Sequence, residues 1–524
     1  MSLTEQAQSQ MISILPINNS SFTPGQKVIF ELPPDLGFLK AARGESYLAI
    51  KVRNNSTALR WMFPTSAQSL IKDVNVFSMA TGQQLESLQN YNQAVWLLNQ
   101  YGSVVHGMQQ SVEGMVSEPF SLEWGTSTGA PIRRKVYSDG TPDTVMNSII
   151  SPIDESGNLV PLAYQICIPL RLGIFGSYSD EKLTPLLSLG GLRIEITLED
   201  KQPVCNPLGA LVGGGLYPSV STPDQGLTTG IPVVQGSSLQ DIVLEQCTTL
   251  DQTGFCVGQN IEFQSGTSTD ISTTIQSMTV LDGVSVQLTC QDIVHCGGIS
   301  GKFATLPETF TSNVNYAIDD IQFRVLQVVP DKQTISNASK PMNYGFRTYD
   351  LYYDSIPAGS KRHQVEIHSV SSRAKSIMSM IYDSSLEYEP NAPAYFKGSD
   401  PDTLSLNSVQ FFINNKLFPL NAYNPSRVQD RPQSLNELSK AFSAMGTPLS
   451  SFGDGSGKNL DSYSNTFLVA RELARGDFVY DLRSAEPSIR LGFSATRSQI
   501  SRVNTFVWSD RVINIGPSGL SLII

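Results

Sequence analysis

"IPLRLGIFGSYSDEKLTPLLSLGGLRIEITLED" (residues 168–200) holds two alternating segments joined by something other than a turn. At its first end Ile166, Ile168, Leu170 and Leu172 alternate with polar or small residues, and at its second Leu192, Ile194, Ile196 and Leu198 do the same. Alternation with period two gives each segment one apolar face and predicts two half-buried strands. A hairpin would join them in about two to five residues, commonly through Asn-Gly or Asp-Gly. Here the connection passes Ser179, Asp180 and Glu181 and then becomes apolar, "LTPLLSL" (183–189). The link needs a reason.

Composition narrows the class of protein. Of 524 residues 40% are hydrophobic, enough for two or three domains with real cores. Only 16% are charged, against about 25% in an average chain. Ser, Thr, Asn and Gln fill the polar positions, and 40 Gly and 30 Pro punctuate the sequence. That profile predicts many short strands joined by turns and long loops. A formal net charge of −11 provides no overall field to gather nucleic acid. "MSLTEQAQSQMISILPINNSS" (1–21) has no basic stretch and no long apolar run, so neither a signal peptide nor an anchor is expected. No stretch reaches the roughly 18 uninterrupted apolar residues of a membrane span. The expectation is a soluble, mostly β, intracellular product.

Six cysteines (167, 205, 247, 256, 290 and 296) form no CxxC. Cys247, Cys256, Cys290 and Cys296 share one Gly/Ser/Thr-rich region. They are compatible with four zinc ligands, two disulfides or plain thiols, although their spacings exceed those usual for structural zinc.

Along the chain, residues 1–24 read as a polar arm ending at Pro24-Gly25. Strands are predicted at 26–32, 46–53, 70–78 and 315–330. Leu88, Tyr91, Val95 and Leu98 recur at helical steps before Gly102 and predict an amphipathic helix there. Residues 103–160 and 201–312 are too long for plain connections and should be functional or carry their own strands. After Pro330 strands are predicted at 344–353, 363–371, 374–382, 406–413, 465–473, 488–495, 502–509 and 511–515. Ser434 with Glu437 suggests a capping box, with Leu435, Leu438, Phe442 and Met445 as the stripe of the helix it would open. The two halves share an order. "VNVFSMATGQQLESLQNYNQ" (74–93) runs on to Tyr101-Gly102, and "VQFFINNKLFPLNAYNP" (409–425) runs on to Met445-Gly446. Each reads strand, Gly or Asn turn, apolar step, "YN", helix, Gly stop, which suggests duplicated β-sandwiches.

The quoted stretch resembles the segment that marks double jelly-roll major capsid proteins. There an "IPL-x-(L/F)" strand leads through an apolar "LPLL-x-L" bend to an "(L/V)-x-I-x-I/V" strand. Ile168, Pro169, Leu170, Leu172 and Phe175 match the first part; Leu183, Pro185, Leu186, Leu187 and Leu189 match the bend; Leu192, Ile194 and Ile196 match the second strand. Length and the second-half "INNKLFPL" with its helix are most similar to the virophage and polinton-like virus type. The Phe-Trp-Phe form of the first strand found in giant-virus relatives is replaced by Leu172-Gly173-Ile174.

The resemblance implies an all-β fold of two tandem jelly-roll sandwiches, with short helices and long loop insertions. The arm would be 1–24, the first jelly roll 25–332, interrupted at about 103–160 and 201–312, and the second 333–524. It implies a major capsid protein of a double-stranded DNA virus, located in the virion and assembled inside the host cell. Its partners would be two further copies in a homotrimer, neighbouring capsomers, and penton and minor capsid proteins. Neither sequence-specific nucleic acid nor a transmembrane segment would be involved. It also explains the link: the two strands would lie in facing sheets, with "LTPLLSL" crossing the open end of the core as a plug. Residues 201–312 would rise in the outward tower, and both termini would tie capsomers together from inside.

Chemical readings compete. "GDGSGK" (453–458) resembles part of a phosphate loop but has Phe452 and Asn459 where Gly and Ser or Thr are needed. His363 and His368 would face opposite sides of a strand, and His295-Cys296 are adjacent rather than facing. Asp319-Asp320 and Glu199-Asp200 could serve a glycosidase, but strand-end charges look the same. Sequons at 18–20, 54–56 and 337–339 would matter only in an exported protein. No catalytic, cofactor-binding or metal-ligating residue is assigned. The alternative is a secreted or surface β-sandwich that binds or hydrolyses glycans; a phage tail or receptor-binding protein would need fibrous repeats.

Overall fold

The computed structural model describes residues 8–101, 149–150, 163–208, 231–232, 241–244, 257, 260–290, 303–305, 315–329, 341–384, 399–446 and 468–524, with brief interruptions. "GDGSGK", His295-Cys296, the third sequon, Cys247, Cys256, Cys296 and nearly all of 103–160 lie outside these residues.

Among the described residues, sixteen strands make the repeated frame of the two halves. The first half has β1 (Gln8–Ile14), β2 (Lys27–Leu32), β3 (Tyr47–Asn54), β4 (Ile71–Ser78), β5 (Gln84–Leu88), β6 (Ala163–Ile168), β7 (Leu192–Leu198) and β8 (Tyr316–Val329). The second has β9 (Met342–Ile356), β10 (Arg362–Glu366), β11 (Ala374–Asp383), β12 (Leu406–Ile413), β13 (Lys416–Tyr423), β14 (Val469–Glu472), β15 (Ser488–Phe493) and β16 (Ser501–Gly516). The first half pairs as β1-β8-β3-β6 and β2-β7-β4-β5, the second as β9-β16-β11-β14 and β10-β15-β12-β13. Adding eight to every strand of one half gives the other. Eight strands, four in each of two facing sheets, with these crossovers make a jelly roll; Phe38–Lys40 and Leu183–Pro185 add to one sheet of the first half and Gly519–Ile523 to one of the second, so the duplication inferred from thirty residues extends to whole topologies.

Alternation supplies both cores. In β7 Leu192, Ile194, Ile196 and Leu198 are buried while the residues between are not, and β2 and β4 keep a similar rhythm. Phe30 of β2 meets Phe323 of β8 across the sandwich at 5.8 Å between ring centres. Each half also closes one end with a helix after its fifth strand: α1 (Tyr91–Tyr101) and α2 (Arg431–Ala444).

The quoted stretch crosses between sheets. β6 lies beside β3, whereas β7 lies between β2 and β4. Between them Leu183–Pro185 pairs with Phe38–Lys40, and Leu186–Leu189 forms one helical turn. Gly190 stops that turn at φ 71°, with its added Cβ position only 2.4 Å from Ala80 Cβ, so only glycine fits. Leu186 and Leu189 are fully buried; Leu187 points outward and is 41% exposed. Leu183 packs on Phe38 and Val328 instead of the main core. Two of the four leucines make the plug. Truncating Leu186 to Ala should therefore cost about 3 kcal/mol through the cavity it leaves, and Leu187→Ala about 0.5 kcal/mol or less. Chemical denaturation of the two variants checks the contrast.

The structure departs from other expectations in instructive ways. The helix after β5 starts at Tyr91, because Leu88 ends a strand paired to β4. α2 starts at Arg431, three residues before the supposed capping box; Ser434 is buried inside it, and Glu437 instead meets Arg471 and Lys440. β16 runs unbroken through Asp510, and the strand at 363–371 ends at Glu366.

The N-terminal segment is the largest correction. Gln8–Ile14 pairs residue by residue with Phe323–Val329, and Ile12 and Ile14 pack against the core of their own chain. Phe22 is buried and bridges to Ile318. This segment is the first strand of the first sandwich. At the other end, where a tie between capsomers is expected, Gly519–Ile523 pairs with β16 of its own chain, and Leu520 and Leu522 turn to the core.

The second excursion has strands of its own. Ile231–Pro232, Phe303–Thr305, Asn260–Ser265, Ser268–Leu281, Ser285–Cys290 and Asp241–Leu244 form one antiparallel sheet in that order. It is inserted between β7 and β8.

Candidate functional site

The two sandwiches meet along β9, which lies against β5 and the 3-10 turn Gly173–Phe175 that follows β6. Position 173 tolerates no side chain: a Cβ there would stand 1.9 Å from the Arg347 carbonyl oxygen of β9 and 2.7 Å from Glu86 Oε1. This close approach of backbones accounts for glycine in Leu172-Gly173-Ile174.

Glu86, on β5, is wholly buried. Its Oε1 accepts from the amide of Gly173 (2.9 Å) and its Oε2 from that of Ile174 (3.1 Å). The carboxylate thus holds the turn in the shape that admits β9. Burial pushes the Glu86 pKa above its usual value, against the pull of those two amides and of Arg511. A carboxyl whose folded pKa is raised contributes most below its unfolded value of about 4.3 and loses that contribution as pH rises through the folded value. The joint should therefore be more stable near pH 5 than near pH 8. In Glu86→Gln this slope should flatten, which thermal unfolding across that range would reveal.

Among the described residues, five side chains cross the seam to main-chain or amide oxygens, one of them Tyr353, whose hydroxyl donates to Asn90 Oδ1 (3.3 Å). Tyr344 donates its hydroxyl to Ile174 O (2.7 Å), Lys182 its ammonium to Gly345 O (2.6 Å), Tyr349 to Gln89 O (3.0 Å) and Asn504 to Gln93 Oε1 (2.7 Å). Burial lifts the Tyr349 phenol well above its ordinary pKa, so it remains a donor. Behind β9, Arg347 spans Asp510 and the Met445 carbonyl, while Arg511 pairs with Asp350. At one end the seam opens into a polar cleft of about 500 Å³ lined by Lys72, Glu199, Tyr353 and Arg502. Neither Glu86 nor Gly173 stood out in the sequence as functional. A lone Glu within "QLESL" carries no signal of burial.

The residues weighed for chemistry are dispersed. Asp319 pairs with Arg53 at 2.8 Å, whose hydrogen bond lowers its pKa, and Asp320 pairs with Lys51 at 3.2 Å. Glu199 is buried between Lys72 (3.3 Å) and the Asn92 amide (2.9 Å). His363 lies 3.1 Å from Asp354, whereas His368 is exposed beyond the end of β10. Cys205 is buried, which raises its thiol pKa well above normal.

No family model and no curated protein matches the chain. Solved structures do. VP54 of PBCV-1, fitted into a reconstruction of the virophage Sputnik, is 9% identical with a TM-score of 0.50, over 100% of this chain and 98% of that one. The Faustovirus major capsid protein is 9% identical with a TM-score of 0.50, over 98% of this chain and 92% of its own. These likenesses give no support to the glycan reading. Two halves with one strand order, joined through β9 and matched end to end by these structures, give the chain the double jelly-roll fold of viral major capsid proteins.

Proposed function

We propose that the chain is the major capsid subunit of a double-stranded DNA virus, of the virophage or polinton-like type, and is located in the virion. The repeated strand order carries this reading. Two equivalent sandwiches per chain, three chains per ring, give six similar lobes around a three-fold axis, and a hexagonal outline tiles a shell. The seam serves this use, because β9 holds the lobes at one fixed angle through backbone contacts. The sheet at 231–305 would form the outward tower, and penton and minor proteins would meet the ring at its edges. Its work is assembly rather than turnover chemistry.

Light scattering after gel filtration should give three times 57.1 kDa, and negative-stain microscopy should show hexagonal particles. A monomer that persists at high concentration would sink the proposal.

A further inference from the structure

The repeat of strand order makes the contact within one chain a template for the contact between chains. On the first sandwich the seam is built from β5 and the turn after β6; on the second it is built from β9. Adding eight to the first set gives β13 and the loop after β14. Subtracting eight from β9 gives β1. If the ring closes as proposed above, on which this inference rests, these counterparts must meet between neighbouring copies.

The counterparts are bare where the originals are covered. Ile174 and Phe175 in the turn after β6 are fully buried, whereas Phe478 and Val479 after β14 are 79% and 36% exposed. β5 buries Leu85, Glu86 and Leu88, whereas Leu420 of β13 is 81% exposed. β9 buries Thr348 and Tyr349 in succession, one on each face, as a strand covered on both sides must. β1 covers only one: Ile12 and Ile14 face the core, while Met11, and Leu15 just beyond the strand, are 48% and 61% exposed. Ile17, past the strand with its amide bonded to Ile29 O of β2, is 56% exposed. The loop that presents Phe478 is held in place, since the fully buried Lys375 donates to Gly476 O (2.6 Å) and to Phe478 O and lies 3.4 Å from Asp510. A rigid loop that displays an aromatic ring to water loses little entropy on docking.

We infer that Leu420, Phe478 and Val479 of one copy dock on Met11, Leu15 and Ile17 of the next, repeating the seam between Gly173 and β9. The partner is a second copy of this chain, and the contact is head-to-tail, so it closes only as a ring.

Two measurements on the full-length chain test this. Phe478→Asp and Leu420→Asp should convert the trimer to a 57.1 kDa monomer with an unchanged circular dichroism spectrum, while Ile500→Asp, exposed on neither counterpart, should leave the trimer intact. Phe478→Cys mixed with Leu15→Cys should cross-link with a bismaleimide above the level given by the native cysteines, and neither variant should do so alone. Trimers that persist in both aspartate variants overturn this surface while leaving the capsid reading standing. Cross-linking of Phe478→Cys to itself overturns the head-to-tail contact. A monomeric parent chain overturns both readings.

Discussion

Valine at position 173 is expected to break the joint between the two sandwiches, at a cost above about 3 kcal/mol, beyond the usual range for an overfilled site. The cause is space. Even alanine would put its Cβ 1.9 Å from the Arg347 carbonyl oxygen and 2.8 Å from the carbonyl carbon. Neither atom can retreat, because β9 is paired to β16 over its whole length, from Met342–Ile515 to Ile356–Ser501. The turn cannot retreat either, since Glu86 holds both its amides. The lobes must part, and with them go the bonds from Tyr344, Lys182 and Tyr349. Calorimetry should then show two transitions where the parent shows one, because each sandwich keeps its own core. Gly516→Ala is the control, with nothing within 4 Å of the added carbon. One unchanged transition in Gly173→Val would mean that the seam does not couple the lobes.

Deleting residues 1–20 should abolish soluble folding, an effect far larger than trimming a loose tail. The deletion removes β1 and leaves residues 323–329 of β8 as an open edge. Open edges recruit other chains. Two half-buried isoleucines, at about 1–2 kcal/mol each, vanish with the ladder of hydrogen bonds. Together they are a sizeable part of the about 5–15 kcal/mol that keeps a domain folded. Soluble yield and the unfolding midpoint report the result. Ile12→Ser with Ile14→Ser should follow the deletion in direction, and Met11→Ser should leave the lobe's own stability unchanged. Normal yield from the truncated chain would return this segment to the status of an arm.

The sandwich strands were legible where a single rule governed them. β2, β4 and β7 have one face in the core and one in water, so alternation read directly as strand. The crossing link was readable because an apolar connection between two such strands has few other uses. Legibility failed where two demands met in one segment. β5 is short, and Leu88 to Tyr91 mimics a helical step; it must also bury Glu86, which pattern alone assigns to the surface. β16 carries Asp510 and Arg511 in mid-strand, because partners from β9 and β11 neutralise them there. β1 looked like an arm because only Ile12 and Ile14 face inward and its other side is built for a different contact. The seam itself was invisible, since it depends on a missing side chain at Gly173 and on tyrosines ordinary for any strand.

The seam's choice of acceptors also bears on how such chains change over time. Tyr344, Lys182 and Tyr349 all reach carbonyl oxygens, and Gly173 packs on one, so the surfaces they recognise belong to the main chain. A carbonyl is present whatever residue occupies the position. Ile174, Gly345 and Gln89 can therefore drift without erasing the contact, provided the backbone path is kept. Selection at the joint acts on shape, and the letters are released. A chain under that rule can lose nearly all recognisable sequence identity and still set its two lobes side by side.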